Sequence, residues 1–439
     1  MNNVKTAPHV VVVGGGPAGI FAALKLADHA KVTLVEKSGN IGGAGLHSDG
    51  KINFHPQIGG DLTDFMPEDE AWMVVHELER IFSEFGVEGS YPSNQIEKLL
   101  RKATSSDVKF VPAKLAHVGS DCLPDLMKRF QKKLEEKGVR ILFHSKVTDL
   151  KVADKKVKGV KIGNQEIPCD FAILCPGRSG SFWLKEMATK HGFTFRHNYI
   201  DIGVRVEFSS RVLDEITIDQ KIWDPKFHII TPSYDAFVRT FCTNPRGFVT
   251  IEPYGKNMIG VNGHAMKNIH SHNSNFALLV RVNLTEPLED TSEYGATIVK
   301  ISNILGGGKP LIQRLGDLRK YKRSSWKSIN KSNITPTLKN ATPGDISMAL
   351  PHRIVVDLLE ALEMLDKIMP GVASNSTLLY APEVKFYSMK VNTTNKLETD
   401  VENLYVAGDG AGVSRGINGA AETGMLAAFG IIEKIKGGL

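Results

Sequence analysis

With 439 residues, 42% hydrophobic and 23% charged, the chain has an ordinary globular composition and too much length for one small core, so two interlocked domains are expected. A formal net charge of +6 permits attraction to dinucleotides, nucleic acid or acidic substrates and requires none of them. The four cysteines are scattered without a Cys-x-x-Cys pair and read as free thiols of a reducing compartment, while no apolar run nears the roughly 20 residues that span a bilayer, which points to a cytoplasmic, unanchored protein.

From His9 the chain carries a β-branched run, Val10 to Val13, then Gly14-Gly15-Gly16-Pro17-Ala18-Gly19, then an amphipathic stretch from Ile20 to Ala27. This order predicts strand, tight turn and helix. A second predicted strand, Val32 to Val35, ends in Glu36 and Lys37, about 20 residues past the glycines, where a βαβ unit places an acid for a ribose. Gly14 lets the chain turn, Gly16 admits a pyrophosphate to the backbone, and Gly19 lets helix and strand pack. Pro17 and Ala18 open the helix, whose unpaired N–H groups and dipole favour negative charge. Glycine turns also join strands to helices for steric reasons alone, and acids also end strands in solvent. Here strand, helix, second strand and acid are all in place, which favours a dinucleotide site.

After Lys37 come Gly39, Gly42, Gly43, Gly45 and Gly50 with few helix or strand signals. A nicotinamide dehydrogenase would continue with further βαβ units, whereas a glycine-lined segment lets backbone follow a long cofactor. Cys122 to Glu136 has helical spacing, with Leu126, Met127, Phe130 and Leu134 on one face. Strands are predicted at Val139 to Phe143, Lys146 to Val152, Val157 to Ile162 and Phe171 to Leu174. Residues 182–381 hold strand-like runs at Ile202 to Phe208, Phe237 to Phe241, Phe248 to Ile251 and Met258 to Val261, and a helix over Arg353 to Met369. They contain no second strand-GxGxxG-helix, so NAD(P)H or another electron donor would act without a dedicated domain. Lys309 to Lys331 is the most basic part of the chain, with Arg314, Arg319, Lys320, Lys322, Arg323 and Lys327 against Asp317. Such a run can hold RNA or another phosphate-bearing partner; a solvated face or connector is favoured, and a nucleic-acid partner is not expected.

Near the other end, Glu402 to Ala407 reads as a short strand, followed by Gly408-Asp409-Gly410-Ala411-Gly412 and a helix from Gly416 to Lys434. The small residues Ala420, Ala421, Gly424 and Ala427 let this helix lie close to the sheet or to a cofactor. FAD needs a partner for its ribityl and pyrophosphate groups and a positive end aimed at the flavin pyrimidine. Asp409 suits the first, and the helix start at Gly416, Ile417 and Asn418 suits the second. FAD is the expected cofactor.

The pair Val-Gly-Gly-Gly-Pro-Ala-Gly (13–19) and Leu-Tyr-Val-Ala-Gly-Asp-Gly-Ala-Gly (404–412) resembles the flavoprotein superfamily of glutathione reductase and para-hydroxybenzoate hydroxylase. Further segments look like a family of prokaryotic FAD-dependent dehydrogenases: Gly42-Gly43-Ala44-Gly45 with Ser48-Asp49-Gly50-Lys51, Ile202 to Glu207, Asn273 to Ala277, and Gly412 to Ile417. The resemblance implies an adenine contact through the main chain of Val147, and a turn at Gly177-Arg178 that closes the FAD domain. It also implies what is missing: the Cys-x-x-x-x-Cys of disulfide reductases, the Asp-Gly pair of the hydroxylases and the cysteine-rich loop of flavin-dependent tRNA modifiers are absent.

The expected architecture is α/β: a Rossmann-like FAD-binding domain built from residues 1–181 and 382–439, with an inserted α+β substrate or cap domain at 182–381. The expected activity is FAD-dependent transfer of a hydride or two electrons to or from a small organic substrate. A flavoprotein that binds RNA through its basic segment and a non-catalytic FAD sensor are the alternatives. Candidate polar groups at the flavin are His47, Ser48, Lys51, Arg205 and Arg415, with Lys51 first because Gly50 would bring it close. His264, His270 and His272 sit in a polar loop without metal-ligand spacing, so no metal site is expected.

Overall fold

The computed structural model describes residues 7–48, 50–90, 96–119, 122–219, 221–255, 258–266, 269–285, 290–386 and 389–437. The chain forms two compact units, one of Met1–Tyr91, Ala113–Asn198 and Tyr387–Leu439, the other of Pro92–Pro112 and Tyr199–Phe386.

In the first unit the valine run forms β1 (His9–Val13), followed by α1 (Pro17–Leu26) and β2 (Lys31–Val35). Three more strands, β3 (Arg140–Leu142), β4 (Phe171–Leu174) and β5 (Leu404–Val406), complete a five-stranded sheet in the order β5-β4-β1-β2-β3. Every pairing in it is parallel. Val10 to Val13 and Phe171 to Leu174 are buried without alternation, the pattern of strands covered on both faces. The register sets Val13 beside Leu174 and Leu174 beside Val406, so β1, β4 and β5 end flush at their carboxyl ends.

The C-terminal helix α2 (Gly416–Lys436) packs on α1. Its small residues allow backbone contact: a Cβ at Gly424 would stand 2.1 Å from the Ala18 carbonyl oxygen. An antiparallel three-stranded sheet, Asp149–Ala153, Lys156–Ile162 and Gln165–Pro168, lies between β3 and β4 in the chain. The strand expected from Lys146 therefore begins at Asp149, where ladder pairing with Lys161 starts. Val147 lies in the connection before it, buried in the core.

The second unit is built on an eight-stranded sheet, ordered Thr342–Pro343, Leu311–Arg314, Leu378–Lys385, Ile200–Ser209, Asn273–Val282, Phe237–Asn244, Lys226–Ile230, Val108–Val111. Period-two alternation splits the long Ile200–Ser209 strand. Ile202, Val204, Val206 and Phe208 enter the apolar core, while Asp201, Arg205 and Glu207 take the opposite, polar face. Helix His352–Ile368 packs its apolar stripe on this sheet.

The basic run is not a bare connector. Its start, Leu311–Arg314, is a buried strand of the sheet, because two apolar residues ahead of the cations are enough to pair with Leu378–Ala381. Arg319 donates to the Ala373 carbonyl at 2.8 Å, and Lys320, Tyr321 and Lys322 are exposed. Among the described residues no helix is long and apolar enough to cross a membrane, and all four cysteines are free.

Candidate functional site

The flush ends of β1, β4 and β5 bring three glycine turns together. Gly14 has φ +107°, and a Cβ there would stand 2.1 Å from the Cys175 carbonyl oxygen, so only glycine lets the chain leave β1 beside β4. A Cβ at Gly19 would stand 1.9 Å from the Gly14 carbonyl oxygen. Gly16 differs from both: its φ is −76° and a Cβ would meet nothing within 4 Å. Neither strain nor packing inside the protein asks for glycine at this position, whereas a pyrophosphate lying against the backbone would.

Gly16 caps α1 without a side-chain hydrogen bond, Pro17 follows, and the first turn holds no acid. Its N–H groups and the positive end of the helix are left for an anion. Ala18 and Gly19 are buried in that turn. Glu36 is 6% exposed. Its Oε2 accepts from the Gly15 amide at 2.7 Å, and Oε1 accepts from the Ser38 amide at 2.8 Å and the Ser38 hydroxyl at 2.7 Å. A carboxylate offers about four lone-pair sites, so one remains for a ribose hydroxyl. Lys37 donates to the Ser179 hydroxyl at 3.1 Å.

The segment after β2 returns to the same loop. Gly42 donates its amide to the Gly15 carbonyl at 2.7 Å, and a Cβ on Gly43 would lie 3.4 Å from Gly16 Cα. A short 3-10 turn, Gly43–His47, and a strand, Lys51–Phe54, follow. The side chain of His47 and all of Asp49 lie outside the described residues. Gly50 has φ +74° and a Cβ there would stand 2.6 Å from the Gly119 amide, so a close backbone neighbour accounts for this glycine. Lys51 opens a strand paired with Lys114–His117.

At the C-terminal turn Gly408 has φ +82°, and its Cβ would approach that of Ala18 to 3.0 Å. A Cβ on Gly410 would stand 2.3 Å from the Gly177 carbonyl oxygen, so the turns after β4 and β5 interlock. Asp409 accepts from the Ser414 hydroxyl at 3.0 Å and from the Gly416 amide at 3.2 Å, which ties it to the start of α2. Burial pushes its carboxyl upward, against the pull of Arg415, the Gly416 amide, Arg178 and Ser414.

Arg415 caps α2 and donates its amide to the Gly59 carbonyl at 2.6 Å. Ile417 is buried, and the Asn418 side-chain amide donates to the Ile58 carbonyl. The segment Ile58 to Gly60 is thus a strap across the helix start; a Cβ on Gly419 would lie 1.6 Å from the Gly59 carbonyl oxygen. The Gly59-Gly60 pair is the sign of this strap in the sequence. Gly59 to Leu62, Val413, Gly419, Glu422 and Thr423 line a crevice there too narrow for a water molecule.

Arg205, expected among polar groups near the flavin, is fully buried. It forks onto Glu383 at 2.8 and 2.6 Å and donates to the Cys242 carbonyl and to Asn262. Its donors are spent on structure. Among the described residues no group of three or more His, Cys, Asp or Glu could hold a metal.

The first unit fits FAD on its own geometry: an open Gly16, an uncapped α1 start, Glu36 beside it, and Asp409 with the α2 start at the end of the next strands. Residues 9–192 match the family described as FAD dependent oxidoreductase, and residues 199–386 match the family described as FAD-dependent protein, C-terminal domain-like. An uncharacterized protein of Clostridium beijerinckii is 26% identical over 97% of this chain and 80% of its own length. Among solved structures, L-proline dehydrogenase from P. horikoshii is 14% identical, covers 99% of this chain and 95% of its own, and has a TM-score of 0.43. Glycine oxidase from Bacillus cereus is 14% identical, with 98% and 96% covered and a TM-score of 0.37.

Proposed function

We infer, from the premise that this chain is an FAD-dependent oxidoreductase, that it is a dehydrogenase or reductase of a small organic substrate, built on the glutathione reductase and para-hydroxybenzoate hydroxylase plan. When bound, FAD supplies the capacity to take up or release a hydride or two electrons. The chain's own residues hold and orient. Gly14, Gly16, Pro17, Ala18, Gly19 and Gly43 form the pyrophosphate cradle, Glu36 and Lys37 flank the ribose, and Val147 lends backbone to the adenine. Gly177, Gly408 and Asp409 line the ribityl side, and Gly416, Ile417 and Asn418 present the positive end of α2 to the pyrimidine. Lys51, His47 and Arg415 are the polar groups proposed for the reacting end.

The observation that carries this reading is Gly16, a glycine with unstrained backbone and empty space where its side chain would be. The first and last portions of the chain form the FAD-binding domain, the middle is the substrate domain, and electron donors such as NAD(P)H act without a domain of their own. Four free cysteines support a place in the reducing cytoplasm.

Anaerobic stopped-flow reduction of the purified yellow protein with NADH, NADPH and a substrate panel tests the assignment. Bleaching of the flavin bands by one donor and recovery with one acceptor are expected. A bound flavin inert to every donor and acceptor would leave a sensor, not an enzyme.

A further inference from the structure

The polar face of the eight-stranded sheet carries a cationic cluster. The register places Asp201 opposite Arg281, Phe237 next to Val238 on the strand paired with Val280, and His228 opposite Arg239. Asp201 is fully buried and lies 2.7 Å from the Arg239 guanidinium. The Arg281 guanidinium is 3.8 Å from the same carboxylate, beyond hydrogen-bond reach.

Arg281 is the unusual member. Its guanidinium sits 3.8 Å from the centroid of Tyr199 and 4.5 Å from that of Phe237, and its side chain is 31% exposed. No side-chain hydrogen bond from it to any described residue exists, and its Nε, shut away from solvent, faces Asp201 Oδ1 at ion-pair distance only. Aromatic rings fix the plane of a guanidinium without consuming its N–H donors. The terminal N–H donors of Arg281 are not among the buried ones and make no bond to the described residues, so an anion can reach them.

The surroundings carry the same sign. Lys109, Lys226, Arg239 and Arg281 surround His228, with Asp201 paired to Arg239 at 2.7 Å and Asp224 to Lys226 at 2.6 Å. Burial, then Arg239, Lys109, Arg281 and Lys226 all push the His228 imidazole down, to about 4. It stays neutral at pH 7.

We propose that this face of the second unit is a binding site for a small organic anion, with Arg281 as the fork that takes its carboxylate or phosphate and Arg239, held by Asp201, as the supporting charge. A carboxylate or phosphate presents two oxygens in the plane of the fork, and the rings of Tyr199 and Phe237 hold that plane.

Isothermal titration calorimetry at low salt, with benzoate and inorganic phosphate as probes, tests it on the full-length holoprotein. At least one probe should bind wild type, and Arg281→Met should weaken that binding by about tenfold or more. Arg281→Lys, which keeps the charge and loses the fork, should fall between. Lys320→Met, at an exposed lysine of the basic run, should change nothing. The proposal is overturned if neither probe binds, if Arg281→Met binds as wild type does, or if Lys320→Met weakens binding equally, which would mean an adventitious ion only. Should Arg281→Met fail to fold, phenylglyoxal labelling of wild type decides the matter by mass spectrometry: the bound probe should slow modification at Arg281, and unaltered labelling at that residue overturns the site. Neither measurement depends on flavin turnover.

Discussion

The Gly15 amide donates a 2.7 Å hydrogen bond to Oε2 of Glu36, 21 residues further along the chain. The carboxylate that follows β2 is therefore a strut for the glycine loop as well as the acid proposed for the ribose. Replacing Glu36 with alanine leaves the Gly15 amide and the Ser38 amide without their acceptor. The expected loss is about 1–3 kcal/mol of stability for the buried donor, with weaker FAD retention. Urea denaturation and flavin absorbance per mole of protein check it; wild-type values in both would remove Glu36 from the site.

Gly16 and Gly19 give opposite expectations for the same substitution. Gly16→Ala meets no protein atom and keeps an ordinary φ, so folding should shift by no more than about 1 kcal/mol, the lower chain entropy of alanine offsetting its weakness as a helix cap, while flavin content falls. In Gly19→Ala the new methyl meets the Gly14 carbonyl oxygen at 1.9 Å, so the fold itself should lose stability. Measuring thermal midpoints with and without added FAD separates the two. A Gly16→Ala protein with full flavin would argue that no phosphate lies there.

Glu422 sits on α2, 1% exposed, with Oε1 lacking a hydrogen-bond partner among the described residues. Burial holds its carboxyl well above the ordinary 4.5 of a glutamate. The sign follows from linkage: the folded state favours the protonated form, so the contribution to stability is full at low pH. It is lost progressively as pH rises from 4.5 toward the folded value. Glu422→Gln removes the titration without changing shape. Its thermal midpoint should exceed wild type at neutral pH and converge with it in acid; equal midpoints across the range would show that Glu422 is solvated.

What could be read from sequence divides along physical lines. Val10 to Gly19 was legible because a continuous β-branched run, a glycine turn and a helix opening are local signals, and Gly408-Asp409 was legible for the same reason. The strand at Leu311–Arg314 was hidden because its pairing with Leu378–Ala381 is a tertiary fact and its flank is basic. The start of the strand at Asp149 depends on its partner Lys161. Burial of Arg205 and Glu422 could not be read, since charged residues at those spacings look like solvated faces until sheet register and helix contacts enclose them. The neighbour that requires glycine at position 50, the Gly119 backbone, is another tertiary fact that no local signal carries.

The buried pair of Arg205 and Glu383 separates a structural arginine from a substrate-binding one. Both side chains are fully inaccessible, and Lys385 also reaches Glu383, at 3.1 Å. Arg205→Met strips the fork from Glu383 and leaves its carboxylate facing one lysine, so a loss of about 3–5 kcal/mol is expected. Removing both charges, as in Arg205→Met with Glu383→Gln, should recover part of that loss, because the penalty lies in the unpaired charge more than in the missing bond. The coupling is measured by a double-mutant cycle in urea on the flavin-loaded protein. If Arg205 met substrate instead, Arg205→Met would leave the urea midpoint near wild type and alter turnover alone, and the cycle would show no coupling to Glu383.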